Sequence, residues 1–272
     1  MFASLAPMTS SSDNRPQLSR KLLHSIAALA TELAQWAGTQ ITAAYGKKLA
    51  VTLKPDRRGT PHGASPVSAL DVRVETAIRR RVRSAHPGHA LIGEELAAQS
   101  GADEFTWIID PLDGTTNYLN GLPLFACSIG VVWQGLPIVG AIWCSSTHRF
   151  GPGVYHAHHG DRLRLDGRAV RPRPSGQWRS LACQPGAQPL AADAEPRVLG
   201  CAAVELAYVA AGLMSIAYIP GPRIWDVAGG LMLLEAAGAR VGRAGDPPDT
   251  MLYLPQSATD LARWSEPLLA QR

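Results

Sequence analysis

Two aspartates three residues apart open the run Asp110-Pro111-Leu112-Asp113-Gly114-Thr115-Thr116-Asn117. The stretch before it, Phe105-Thr106-Trp107-Ile108-Ile109, is apolar and aromatic-rich and reads as a buried strand. Both carboxylates are therefore expected at the C-terminal end of that strand. Pro111 restricts the backbone between them, and Gly114 permits a tight turn. Exposed amides and two hydroxyls follow at once. Carboxylate oxygens are hard ligands for a divalent cation, and amides and hydroxyls are donors for an oxyanion. Phosphate chemistry needs both. A plain turn rarely carries two acids, a glycine and two threonines in series.

Three more acids fall at the ends of expected elements. Asp71 opens a helix after Pro66-Val67-Ser68-Ala69-Leu70, and Glu94 follows a short strand and Gly93, the same placement as Asp110. Asp226 precedes Val227-Ala228-Gly229-Gly230 at a helix start. Each alone has a plainer reading: Asp226 as a helix cap, Glu94-Glu95 as a solvated turn, Asp71 as structural. Glycines follow Asp226 where a capping box wants Glu or Gln. Two glycines at a helix start suit close approach by a ligand or by another backbone.

The elements that must position these acids follow from periodicity. Leu22, Ile26, Leu29, Leu33, Trp36 and Ile41 recur at helical spacing, which predicts a long amphipathic helix from Gln17 to Tyr45, ended at Gly46. A mobile, Gly- and Pro-rich loop is expected over Lys54 to Ser65, then a helix from about Ala69 to Ala85 and a strand at Ala90-Leu91-Ile92. Ala126 to Trp133 and Pro137 to Trp143 read as a hairpin around Gln134-Gly135-Leu136, with further strand alternation from Gly151 to Leu165. Arg171 to Pro196 gives no clear pattern. A helix over Ala202 to Ala211, a strand at Ser215 to Ile219, a helix from about Val227 to Ala237 and a strand near Arg240-Val241 complete the reading. Alternating helix and strand points to an α/β C-terminal lobe behind a hairpin-rich N-terminal one, about 147–272 and 17–146, in one catalytic unit over 17–272. The Ser-rich start, 1–16, reads as a disordered leader without the features of a signal peptide.

Three motifs in order and at matching spacing carry a family likeness: Gly93-Glu94-Glu95, Trp107 to Asn117, and Trp225-Asp226-Val227-Ala228-Gly229. On these residues the chain resembles the inositol monophosphatase family of magnesium-dependent, lithium-sensitive sugar phosphatases. Weaker similarity covers nearly everything from about Gln17 onward. The resemblance implies a layered α+β fold, the αβαβα sandwich, and a homodimer. It implies that Glu94, Asp110 and the carbonyl of Leu112 bind one Mg²⁺, that Asp110, Asp113 and Asp226 bind a second, and that Glu94 holds a third through water, with Mn²⁺ able to substitute. Asp71 and Thr115 would then orient or deprotonate the attacking water, and the Gly114 and Thr115 amides would hold the phosphate. Thr116, Gly200 and Ala202 would complete the substrate site for a small phosphorylated metabolite.

Charge arithmetic agrees with a cation-filled site. Acids about 5 Å apart repel by roughly 3 kcal/mol at an effective dielectric near ~20. The ten pairs among Asp71, Glu94, Asp110, Asp113 and Asp226 would cost on the order of 30 kcal/mol, more than the net stability of a domain. Such a cluster takes up protons or cations. An all-oxygen donor set favours Mg²⁺ or Mn²⁺ over Zn²⁺.

One position departs from the family pattern. Ile219 stands where inositol-binding members carry an acid that grips a sugar hydroxyl, and an apolar side chain makes no such bond. Thr116-Asn117 nevertheless has the form of the inositol monophosphatases proper, which points to a sugar or polyol monoester. The alternatives are a 3′(2′),5′-bisphosphate nucleotidase, a histidinol-phosphatase, a fructose-1,6-bisphosphatase, or a catalytically silent binding protein on the same fold.

Composition excludes other classes. The chain has 272 residues, 46% hydrophobic and 18% charged, with a formal net charge of +4, an ordinary globular profile with no strong pull towards nucleic acid. Arg79, Arg80, Arg81 and Arg83 read as the solvated face of a helix. His156 and His158 alternate on a strand and read as a solvated face too. No apolar run approaches membrane-spanning length. Cys127, Cys144, Cys183 and Cys201 are scattered, which suits a reducing cytoplasm better than zinc or a disulfide framework.

Overall fold

The structure, a computed structural model, describes residues 18–54, 65–171, 180–183, 194–243, 254 and 258–271. The expected leader, 1–16, and residues 55–64 of the expected mobile loop lie outside the described residues. In chain order the elements begin with α1 (Arg20–Ala44), β1 (Val51–Lys54), β2 (Ser65–Ser68), α2 (Ala69–Ala85), β3 (Ala90–Gly93), β4 (Phe105–Asp113) and α3 (Thr115–Leu119). β5 (Ala126–Trp133), β6 (Leu136–Cys144), β7 (Gly153–His158), β8 (Arg164–Leu165), β9 (Arg168–Ala169), β10 (Ser180–Cys183) and β11 (Ala194–Arg197) follow. The chain closes with α4 (Ala202–Ala210), β12 (Ile216–Ile219), α5 (Ile224–Ala236), β13 (Arg240–Arg243), α6 (Ala258–Arg263) and β14 (Leu268–Gln271).

β3 to β9 form one seven-stranded sheet in sequence order, antiparallel except for the parallel pair β3 and β4. A second sheet has the order β11-β10-β12-β14-β13. Strand alternation sends side chains to two different cores. From β4, Trp107 and Ile109 join Ile26, Leu33 and Ile41 of α1 and Val74 and Ile78 of α2. Ile108 points the other way, into a core built by Leu206 of α4, Leu233 of α5 and Ala217 and Ala270 of the second sheet. Helix pair, seven-stranded sheet, helix pair and five-stranded sheet therefore stack as an α+β layered arrangement, the first four layers of the expected αβαβα order. Among the described residues no helix is long and apolar enough to cross a membrane.

Three local departures from the sequence reading matter for the site. β4 runs on through Pro111 to Asp113 instead of ending before the motif, with an irregular register between Asp110 and Asp113. A proline is tolerated in a central strand at such a bulge, where its missing N–H breaks no ladder bond. α5 begins at Ile224 rather than Val227, which puts Asp226 inside its first turn. Finally, β14 lies between β12 and β13, so a short segment near the chain's end completes the second sheet. Four apolar and polar residues after a proline carry too little periodicity to reveal it.

Candidate metal and phosphate site

The acids meet where the end of β4, the start of α2, the turn after β3 and the first turn of α5 come together. α5 lies flat on the seven-stranded sheet because a glycine beneath it leaves room: a Cβ on Gly130 would stand 2.6 Å from the Ala228 carbonyl carbon. The glycine pair after Asp226 serves the same close packing, with Gly229 against Ser128 and Ile142, and Gly230 against Leu206 of α4. At that pair the space is taken chiefly by side chains of the fold, not by another backbone. Asp226 is thereby carried to the edge of β4.

Four of the five carboxylates are aimed by bonds to their own surroundings. Asp71, fully buried, is the third residue of α2 and closes a capping box with Ser68: its Oδ2 accepts from the Ser68 N–H at 3.1 Å and from the Ser68 hydroxyl. Its Oδ1 lies 3.4 Å from the Thr115 hydroxyl, which also donates to the Leu112 carbonyl at 2.8 Å. The structural and functional readings of Asp71 thus occupy opposite oxygens of one side chain. Asp110 Oδ1 accepts from the Leu112 N–H at 3.0 Å. Asp113 Oδ2 accepts from the Ala203 N–H at 2.6 Å and from the Cys201 thiol at 3.3 Å. Asp226 Oδ2 accepts from the Arg223 N–H at 2.7 Å, the reciprocal half of a capping box. The glycines after Asp226 therefore do not argue against a capping box, because Asp226 itself is the acid three residues into the helix.

Gly114 adopts φ +81° between β4 and α3, a left-handed conformation that an L side chain resists. Thr115 and Thr116 open α3 directly behind it. Asn117 staples the neighbouring loop, donating from Nδ2 to the Leu124 carbonyl at 2.8 Å and the Leu199 carbonyl at 2.7 Å. Gly200 packs beside that amide and Ala202 begins α4. The contacts to Asp113, however, come from Cys201 and Ala203, which flank Ala202. Sequence reasoning missed both, since a backbone N–H leaves no trace in residue type.

Electrostatics single out this cluster. Burial pushes Asp110 well above the usual carboxylate range, and Glu94, Asp113, Asp226 and Asp71 push it further. Asp226 is raised to about 7, by burial first and by Asp113 next, with the Arg223 N–H and guanidinium opposing. Asp113 is raised to about 6 by burial, against the pull of the Ala203 and Gly114 amides and the Cys201 thiol. Among the described residues no three His, Cys, Asp or Glu side chains are drawn in around one point as metal ligands would be. The donor set fits Mg²⁺ or Mn²⁺ by its chemistry: oxygen only, mostly buried, with anchored carboxylates and excess negative charge.

Two sequence expectations change here. Arg79 is not part of a solvated face; it is buried and pairs with Glu75 at 2.7 Å. His156 and His158 do not face open solvent either. They line a groove of about 740 Å³ between α1 and β7–β8, with His158 edge-on to His24 at a centroid distance of 4.9 Å. The four cysteines are buried free thiols.

Comparison with known proteins agrees with this architecture. The model of the inositol monophosphatase family matches residues 22–263. This chain belongs to the inositol monophosphatase family. The inositol-1-monophosphatase of Mesorhizobium japonicum is 36% identical over 190 residues, covering 64% of this chain and 71% of that one. The Nus factor SuhB of Pasteurella multocida is 31% identical over 232 residues, covering 78% and 83%. The crystal structure of the extragenic suppressor protein suhB from Bartonella henselae superposes with a TM-score of 0.72 at 25% identity, covering 91% and 94%. The chain is thus a phosphoric monoester hydrolase of this family by descent and fold.

Proposed function

We propose that the protein is a Mg²⁺-dependent phosphomonoesterase that hydrolyses a small sugar or polyol phosphate, acting in the cytoplasm as a homodimer. The observation that carries the reading is the set of acids around Asp110: burial raises the proton affinity of Asp110, Asp113 and Asp226, and neighbouring acids raise Asp110 and Asp226 further. Glu94, Asp110 and the Leu112 carbonyl would hold one cation, Asp110, Asp113 and Asp226 a second, and Glu94 a third through water. Bound there, the cations would supply an activated water and offset the charge on the phosphate and the departing alkoxide.

The chain's own groups set the geometry. Asp71 and Thr115, 3.4 Å apart, face the same space and would orient the attacking water and take its proton. At the left-handed Gly114, the amides of Gly114 and Thr115 would hold a phosphate oxygen. Asp113 Oδ2, tied to the Ala203 N–H, leaves its other oxygen for a cation. Ile219, buried at the end of β12, supports a substrate other than one gripped by an acid at that position.

A phosphate-release screen with Mg²⁺ across inositol, sugar, polyol, nucleotide 3′-, histidinol and fructose bis-phosphates tests the reading. Release from a sugar or polyol monoester, abolished by a chelator and inhibited by millimolar Li⁺, is the expected result. Preference for a nucleotide 3′-phosphate, histidinol phosphate or fructose bisphosphate would redirect the substrate class. No release from any compound in metal-replete buffer would leave a silent binding role on the same fold.

A further inference from the structure

Behind Glu94 lies a buried ion pair that the proposed chemistry does not use. Asp71, Glu75 and Arg79 occupy one face of α2 at intervals of one turn. Glu75 and Arg79 have side chains 0% and 4% exposed, and both reach the turn that follows β3. Glu75 Oε2 accepts from the Glu95 N–H at 2.8 Å, and Oε1 accepts from the Leu96 N–H at 3.2 Å and from Arg79 Nε at 2.8 Å. Arg79 in turn donates to the Leu96 carbonyl at 2.9 Å and to the Ala97 carbonyl at 2.8 Å. The Glu75 carboxylate also fills the space beside Gly93, where a Cβ would stand 2.2 Å from Oε1. On the other side, the Glu94 N–H donates to the Ile109 carbonyl of β4 at 3.2 Å.

The backbone is therefore anchored immediately before and immediately after the Glu94 Cα, by β4 on one side and by Glu75 on the other. We propose that Glu75 and Arg79 are positioning residues that fix the 93–97 turn so that the Glu94 carboxylate is presented to a divalent cation. The inference rests on the metal-dependent reading above. A buried ion pair is a poor way to gain stability, because desolvation offsets most of its attraction, and well-packed apolar residues serve packing as well or better. What an apolar pair cannot do is bind two amides and two carbonyls of one turn at once. That polar grip on the backbone is what this pair adds. It also ties Glu94 to the helix that carries Asp71, so both acids move as one body.

The test is Mn²⁺ binding by the full-length chain, read by calorimetry and by the electron paramagnetic resonance signal of free Mn²⁺. It compares wild type, Glu94→Gln, Glu75→Gln, Arg79→Lys and Val82→Ala, the last a core truncation on the same helix. The expected result is Mn²⁺ affinity about 10–100-fold weaker in Glu75→Gln and Arg79→Lys, the scale lost when partners behind a metal ligand are changed. Val82→Ala should melt earlier yet bind as wild type does. In turnover, the two positioning variants should need more Mg²⁺ for half-maximal rate while kcat at saturating Mg²⁺ largely recovers. Wild-type affinity in both positioning variants, alongside weakened binding in Glu94→Gln, would overturn the inference and leave the metal reading standing. Failure of both variants to fold would make the pair a folding element and overturn it as well. Absence of Mn²⁺ binding by wild type would remove the underlying reading and the inference with it.

Discussion

The acid cluster at the end of β4 and the groove between α1 and β7–β8 are both rich in titratable side chains, yet they behave oppositely. In the groove, charge meets countercharge. Arg164 donates to Asp161 at 2.9 and 3.2 Å and holds its carboxyl down at about 2, while His158 stands 3.8 Å from the same acid. His156 accepts from the Gly167 N–H at 3.3 Å, and burial lowers its proton affinity. At the end of β4, acid meets acid, and every shift is upward. The groove's charges are satisfied within the fold. Around Asp110, burial and the neighbouring acids act together, and they raise Asp110 and Asp226. The two regions differ in the balance of their charge rather than in the density of ionisable groups.

The sharpest way to break that contrast is to remove charge from the unbalanced side. Asp110→Asn and Asp226→Asn should lower phosphate release by about 10²–10³-fold or more, the scale lost with a group that stabilises transition-state charge. Their metal-free melting temperatures should hold or rise, since a repelled buried charge has gone. Near-wild-type rates in metal-replete buffer would end the account of these ligands. Gly130→Ala comes next: the added Cβ pushes α5 off the sheet and should cost about 1–3 kcal/mol in denaturant unfolding, with activity falling as Asp226 moves.

The pH dependence sharpens the contrast further. Asp113 and Asp226 rise from an ordinary 3.8 to about 6 and about 7, so the folded, metal-free chain holds protons that the unfolded chain has released. Their favourable contribution is fully present below pH ~4 and is lost as the pH climbs through the folded values of about 6 and 7. Mg²⁺ binds the ionised form, so it should raise the melting temperature more at pH 8 than at pH 5. An equal rise at both would contradict the raised acids. The smallest effect belongs to the groove. Arg164→Ala should cost only about 0.2–1 kcal/mol by urea unfolding and leave turnover unchanged, because a half-exposed pair is well screened.

Much of this was legible in the residues. The αL turn at Gly114, the strand before Asp110 and the two long helices follow from local rules of backbone and periodicity. The metal candidates came from the resemblance that three motifs in register carry; taken alone, Asp71, Glu94 and Asp226 have plainer structural readings. What stayed hidden depends on contacts distant in sequence. Arg79 has the same residue type as Arg80 and Arg81, and only its burial against Glu75 gives it a different role. The start of α5 was misplaced because Asp226 reads equally well as a cap or as an acid one turn in. β14 was invisible because four residues inserted between two strands owe their shape to their neighbours.

The central claim is that acids from distant stretches of chain share divalent cations at the end of β4. Counting bound Mn²⁺ per chain at neutral pH, for wild type and for Asp110→Asn, tests it most directly. The account predicts at least two ions on wild type and fewer on the variant. No bound Mn²⁺ on wild type, or the same number on both, would contradict it.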